Sequence, residues 1–126
     1  MWGLDNRTCS YRVVGHGSSI RVECRIPGGD VNPYLAVAAL VASGLRGVEE
    51  SLPLPDAFEG NAYAADASRV PTTLHEALEL FDRSKAAREA FSDEVVDHYV
   101  HAARVEVAAF DASVTDWERY RGFERL

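Results

Sequence analysis

Between Arg21 and Ile26 charged and apolar side chains alternate, Arg-Val-Glu-Cys-Arg-Ile. A period of two marks a strand, so Arg21, Glu23 and Arg25 share one face while Val22, Cys24 and Ile26 share the other. Upstream, Asn6 to Val14 is rich in β-branched and aromatic residues and predicts a partner strand. Gly15-His16-Gly17-Ser18 turns the chain between them, and Ser19 to Ile26 returns, which makes a hairpin. Arg7 and Arg12 fall on opposite faces of a regular strand. Either a bulge re-aims one of them or one points elsewhere. Pro27-Gly28-Gly29-Asp30 ends the hairpin.

The period then changes to that of helices. Asn32 caps and Pro33 opens a helix running to about Arg46, with Gly47 as its stop. Leu35, Val37, Leu40, Val41 and Leu45 cover most of its circumference, which predicts a core helix buried nearly all round. Ser51 to Val70 carries Pro53, Pro55 and Gly60 without periodicity and reads as a long loop of about 20 residues. Thr73 and Glu76 form a capping box before the stripe Leu74, Ala77, Leu78, Phe81. Ser84 to Phe91 is a short helix of mixed charge. Ser92 caps a longer one, in which Val96, Tyr99, Val100, Ala103, Val107 and Phe110 follow the 3.6-residue period. Thr115 and Glu118 form a second capping box before a last short helix, whose Trp117 and Tyr120 are expected to pack. The class is α+β, an N-terminal antiparallel β-hairpin followed by four to five helices. Two strands cannot satisfy their own outer edges, so the hairpin reads as part of a larger sheet.

Composition narrows the function. The 126 residues make one domain's worth of chain, and 47% hydrophobic with 26% charged residues is an ordinary globular balance. No stretch is apolar for long enough to cross a membrane, and the N-terminus has no secretory pattern. The two cysteines predict no disulfide scaffold; a reducing cytoplasm is the expectation, and any facing of Cys9 and Cys24 is an accident of register. A net charge of −7 argues against nucleic acid as a partner. Yet Arg7, Arg12, Arg21 and Arg25 crowd the first 25 residues, opposed by Asp5 and Glu23 alone. That asymmetry suits a small anionic ligand. A carboxylate between two guanidiniums suits a metal and an anion together, although the same pattern also serves as a solvated sheet face.

Asn6-Arg7-Thr8 with Arg12, then Arg21-Val22-Glu23-x-Arg25-Ile26-Pro27, then Asn32-Pro33-Tyr34-Leu35, resemble the C-terminal part of the catalytic domain of the glutamine synthetase family. The likeness continues through Ala38-Ala39-Leu40, Gly44-Leu45-x-Gly47, Gly60-Asn61-x-Tyr63 and Leu74-x-Glu76-Ala77-Leu78. The resemblance implies an ATP-dependent ligase that phosphorylates the γ-carboxylate of glutamate and lets ammonia or a small amine displace phosphate. It implies Mg²⁺ or Mn²⁺ and a homo-oligomeric ring with sites shared between neighbouring subunits. By position, Glu23 becomes a metal ligand and Arg25 holds glutamate and the transferring phosphoryl group. Arg7 and Arg12 contact the ATP phosphates, with Arg7 also near the γ-carboxylate. Ser18 stands where a basic residue is expected in a turn that is shorter than in well-known bacterial members, and Arg21 compensates in part. Phosphoryl transfer needs such residues, because it is catalysed by positioning and by offsetting charge on oxygens.

The same resemblance puts the family's other metal glutamates and histidine, its nucleotide loop and its smaller N-terminal domain upstream of these motifs. The chain is therefore expected to be a fragment, opening at Met1-Trp2-Gly3 just before the active-site strands and inactive alone. The rival expectations are a non-catalytic module that docks with full-length subunits and an independent anion-binding domain. The family's wider members join glutamate to polyamines or ethanolamine, which leaves the acceptor open. Elsewhere, His98 and His101 have a chelating spacing but sit beside Glu94 and Asp97 on an ordinary charged face. His16 reads as a surface histidine. Tyr63 occupies the position adenylylated in some bacterial relatives, with different neighbours, and reads as a loop tyrosine.

Overall fold

The computed structural model describes residues 1–125, in two units, Met1–Val70 and Pro71–Leu126. The first holds a three-stranded sheet in the order β1(Trp2–Leu4), β2(Tyr11–Val14), β3(Arg21–Cys24) and one helix, α1(Pro33–Glu49). The expected hairpin is present: β2 and β3 run antiparallel, with Arg12 opposite Glu23 and Val14 opposite Arg21. Gly15 makes its turn at φ +101°, where a Cβ would lie 2.2 Å from the Ser19 carbonyl oxygen, so no other residue fits.

The long first strand does not form. Residues 5–10 leave the sheet as a turn, with Asp5 in the left-handed region, and pairing resumes at Tyr11. In exchange the sheet gains β1, which pairs parallel to β2 with Trp2 opposite Tyr11. The loop at 51–70 is anchored there. The Phe58 amide donates to the Trp2 carbonyl at 2.8 Å, and the Trp2 indole Nε1 donates to the Pro55 carbonyl at 2.7 Å. Gly3 admits this approach, since a Cβ there would meet the Phe58 carbonyl oxygen at 2.8 Å.

Asn32 caps α1 as expected, its Oδ1 accepting from the Tyr34 amide at 3.0 Å. Gly47 does not end it. The helix continues to Glu49, and Ser51, at φ +49°, takes the left-handed place after the cap. Ser51 N donates to the Val48 carbonyl at 3.1 Å and Leu52 N to the Gly47 carbonyl at 3.0 Å, the paired bonds of a Schellman ending. Nor is α1 buried all round. It has no buried residue, and Val37, Val41, Leu45 and Val48 are exposed.

The second unit carries α2(Leu74–Asp82), α3(Lys85–Phe91), α4(Asp93–Asp111) and α5(Asp116–Phe123), with α2 and α3 packed on α4. Val96 and Val100 of α4 are its buried side chains among the described residues. Thr115 and Glu118 form the full reciprocal box. At α2 the box is offset: Thr73 accepts from the Glu76 amide, but Glu76 reaches back to the Thr72 amide and hydroxyl. Ser92 stands at the start of α4 without capping it, because a φ of 74° turns its hydroxyl from the first-turn amides. Trp117 and Tyr120 are exposed, contrary to expectation, and Arg121 stacks over the Trp117 ring at 5.8 Å.

Candidate functional site

Cross-strand register puts Arg12 beside Glu23, and the guanidinium Nη1 donates to Glu23 Oε2 at 3.0 Å. Arg25 lies just past β3, where its amide donates to the Ser10 carbonyl at 2.8 Å and extends the pairing. Its guanidinium is paired with Glu23 through Oε1, so each carboxylate oxygen has its own arginine. The other edge of Arg12 is held by Asp5, with Nε donating to Oδ1 at 2.9 Å. Asp5, Arg12, Glu23 and Arg25 thus alternate in charge along one line.

Arg12 is the innermost of the four, with 14% of its side chain exposed against 38% for Glu23 and 73% for Asp5. The Arg12 hydrogen bond, with Arg25 adding to it, holds the Glu23 carboxyl below the usual range. The Asp5 carboxyl is lowered by Arg12 in the same way, and Arg12 itself is raised, first by Asp5 and then by Glu23.

The remaining arginines are elsewhere. Arg7 is not on a strand, which answers the problem of opposite faces without a bulge; it stands exposed in the turn at 5–10. There it lines an open hollow of about 480 Å³ with Asp5, Asn6, Phe58, Glu59 and Gly60. Arg21 shares the face of Arg12 and Glu23 but sits opposite Val14, and its Nη1 donates to the Ser19 carbonyl at 3.3 Å. The structure therefore gathers Arg12, Glu23 and Arg25, sets Arg7 on an adjoining turn, and leaves Arg21 outside the ion-paired line. Asp5 is the member that sequence reasoning saw only as an opposing charge. Its signal was its place directly before Asn6-Arg7-Thr8.

A metal needs more than the described residues offer. Glu23 has both oxygens engaged by guanidiniums, and among the described residues no three His, Cys, Asp or Glu side chains are grouped to hold an ion. His98 and His101 are exposed on α4 and belong to no such group. These residues do not make a metal centre; Glu23 has the chemistry of one hard oxygen ligand to a larger set. His16 is exposed, as expected, and Tyr63, read as a loop tyrosine, is exposed on a single 3-10 turn, Ala62–Ala64.

The family model for the catalytic domain of glutamine synthetase matches residues 1–121. The chain belongs to the glutamine synthetase family. It is 65% identical to a gamma-glutamylethanolamide synthetase of Streptomyces coelicolor over 125 residues, 99% of this chain and 27% of the relative. It is 43% identical to a glutamate–isopropylamine ligase of a Pseudomonas species, covering 95% of this chain and 27% of that one. With a type-1 glutamine synthetase of Dictyostelium discoideum the identity is 41%, over 98% of this chain and 25% of the other. This glutamine synthetase-type chain thus spans about a quarter of the length of the curated relatives it matches. No helix among the described residues is long and apolar enough to cross a membrane.

Proposed function

We propose that these residues are the C-terminal portion of the catalytic domain of an ATP-dependent glutamate–amine ligase that acts through γ-glutamyl phosphate. The observation that carries the reading is the alternating line Asp5–Arg12–Glu23–Arg25 running across the sheet, with Arg7 on the neighbouring turn. In the proposed reaction a γ-carboxylate oxygen of glutamate takes the terminal phosphoryl group of ATP, and ADP leaves. The neutral amine nitrogen then attacks the γ-carbonyl carbon, phosphate departs with the C–O bonding pair, and the nitrogen's surplus proton passes to the departing phosphate or to solvent. Both steps gather negative charge on oxygen, and guanidinium forks offset such charge.

Arg25 is the group best suited to the reacting oxygens. Part of its side chain stays solvent-accessible, and its Glu23 partner is an exchangeable carboxylate of the same chemistry as the substrate. Arg12, held from two sides, fixes Glu23 in place, while Arg7 and Arg21, exposed and outside the ion-paired line, would meet nucleotide phosphates. Glu23 contributes one ligand to a Mg²⁺ or Mn²⁺ site whose other ligands come from beyond this segment. The ion, when bound, screens phosphate charge. The names of the two relatives at 65% and 43% identity favour a small amine over ammonia as the acceptor. A ring of subunits and a cytoplasmic setting belong to the same reading.

The test is a graft. With these 126 residues in place of the matching quarter of the Streptomyces coelicolor enzyme, ethanolamine-, glutamate- and ATP-dependent phosphate release is expected to persist. Within the graft, Arg25→Ala and Glu23→Ala are each expected to cut kcat by about a hundredfold or more. A graft that assembles but is silent, or one that keeps full turnover with either substitution, overturns the reading.

A further inference from the structure

Arg7 owes its position to its two neighbours and to a loop more than fifty residues away. The Asn6 side chain is used completely. Its Oδ1 accepts from the Thr8 amide at 2.9 Å and from the Thr8 hydroxyl at 2.7 Å, which closes an Asx turn with Arg7 at its tip. Its Nδ2 donates to the Gly60 carbonyl at 2.9 Å and to the Phe58 carbonyl at 3.3 Å. The Thr8 hydroxyl, whose one proton goes to Asn6 rather than to the Gly60 carbonyl at 3.4 Å, accepts from the Ala62 amide at 2.8 Å. Asn6 and Thr8 are half-buried and turned to the loop, while Arg7 between them is exposed.

We infer that Asn6 and Thr8 are positioning residues: they lock the turn to residues 58–62 so that the Arg7 guanidinium is presented at a fixed place to the ligand's anionic oxygens. This rests on the reading of Arg7 as a phosphate-binding arginine. A long side chain at the tip of an unsupported turn would lose much of its conformational freedom on binding; the latch settles the backbone part of that cost beforehand. Two substitutions separate the parts of the latch. Asn6→Asp keeps the acceptor that closes the Asx turn and removes the donors to Phe58 and Gly60. Thr8→Val removes the acceptor for Ala62, whereas Thr8→Ser keeps it.

In the grafted ligase, Thr8→Val and Asn6→Asp are each expected to lower kcat/KM for ATP by about ten- to a hundredfold, with Thr8→Ser within about twofold of the parent. The deciding measurement is the cycle with Arg7→Ala. If the latch acts through Arg7, Thr8→Val costs less than about twofold once Arg7 is gone. An undiminished loss in the Arg7→Ala background, or no loss in the presence of Arg7, overturns the inference while leaving the reading of Arg7 intact. An Arg7→Ala graft with unchanged ATP kinetics would instead remove the reading of Arg7, and the inference with it.

Discussion

Arg12 grips two carboxylates at once, Asp5 along the Nε edge and Glu23 through Nη1, and both carboxyls titrate below their ordinary range as a result. A depressed carboxyl binds its proton more weakly in the folded chain than in the unfolded one. Its contribution to stability is therefore complete above the ordinary carboxylate range, about pH 4, and disappears as the pH falls through the folded value. Asp5→Asn and Glu23→Gln should each flatten the acid side of a stability–pH curve, read as urea midpoints between about pH 5 and pH 2. An Asp5→Asn chain with the parent's acid slope would show that the pair contributes nothing. At this level the alternation in the sequence announced that Glu23 and Arg25 share a face, but the meeting of Arg12 with Glu23 came only with the register of the hairpin, which the sequence left open. It hid the position of Arg7, because Asn6 and Thr8 are compatible with a strand until the loop at 58–62 claims their side chains.

Among the helices, what stabilises an end is local chemistry and what stabilises a face is not. Asn32, Ser84 and Thr115 cap where their residue types say they should, since each accepts from an amide two or three positions on. Ser51 and Ser92 adopt positive φ with nothing in a serine to announce it. Ser92 carries that strain without a capping bond in return, so Ser92→Gly is expected to raise stability by about 1 kcal/mol in denaturant titrations. No change, or a loss, would mean the side chain has a role that the backbone does not reveal. Val96 is 0% and Val100 2% exposed, and truncating either to Ala should cost about 2 kcal/mol, against under about 0.5 kcal/mol for the exposed Val105. Equal costs at Val96 and Val105 would contradict the packing of α4. Arg88 holds this region together electrically, reaching Asp82 at the end of α2 and Asp93 and Asp97 on α4, and its pKa is raised accordingly, Asp93 contributing most. The apolar circumference of α1 was legible as composition and misleading as location: helical periodicity says which positions are apolar, not what covers them.

For the molecule as a whole, the α+β class and the order of hairpin before helices followed from the change of period at Pro27 to Pro33. The parallel strand β1 did not, because three residues carry too little pattern to be seen. The residues proposed for ligation all lie in the unit Met1–Val70, and they include one metal-ligand candidate, Glu23. The 126-residue chain alone, given ATP, Mg²⁺, glutamate and ethanolamine, is accordingly expected to release no more phosphate than its Glu23→Ala variant. Release above that control would mean that a quarter of a ligase carries the chemistry of the whole.

The loop anchored by Trp2, Asn6 and Thr8 has a temporal consequence. Strands β2 and β3 meet across a few residues, so the Arg12–Glu23 bond closes a short circuit that forms early. The bonds from Asn6 and Thr8 to Gly60 and Ala62 join residues 54 apart and bear a larger closure entropy, so they are made late. A nascent chain would thus acquire its paired charges before its Arg7 turn is latched. The setting of Arg7 would then wait on Gly60 and Ala62, well after the hairpin has closed.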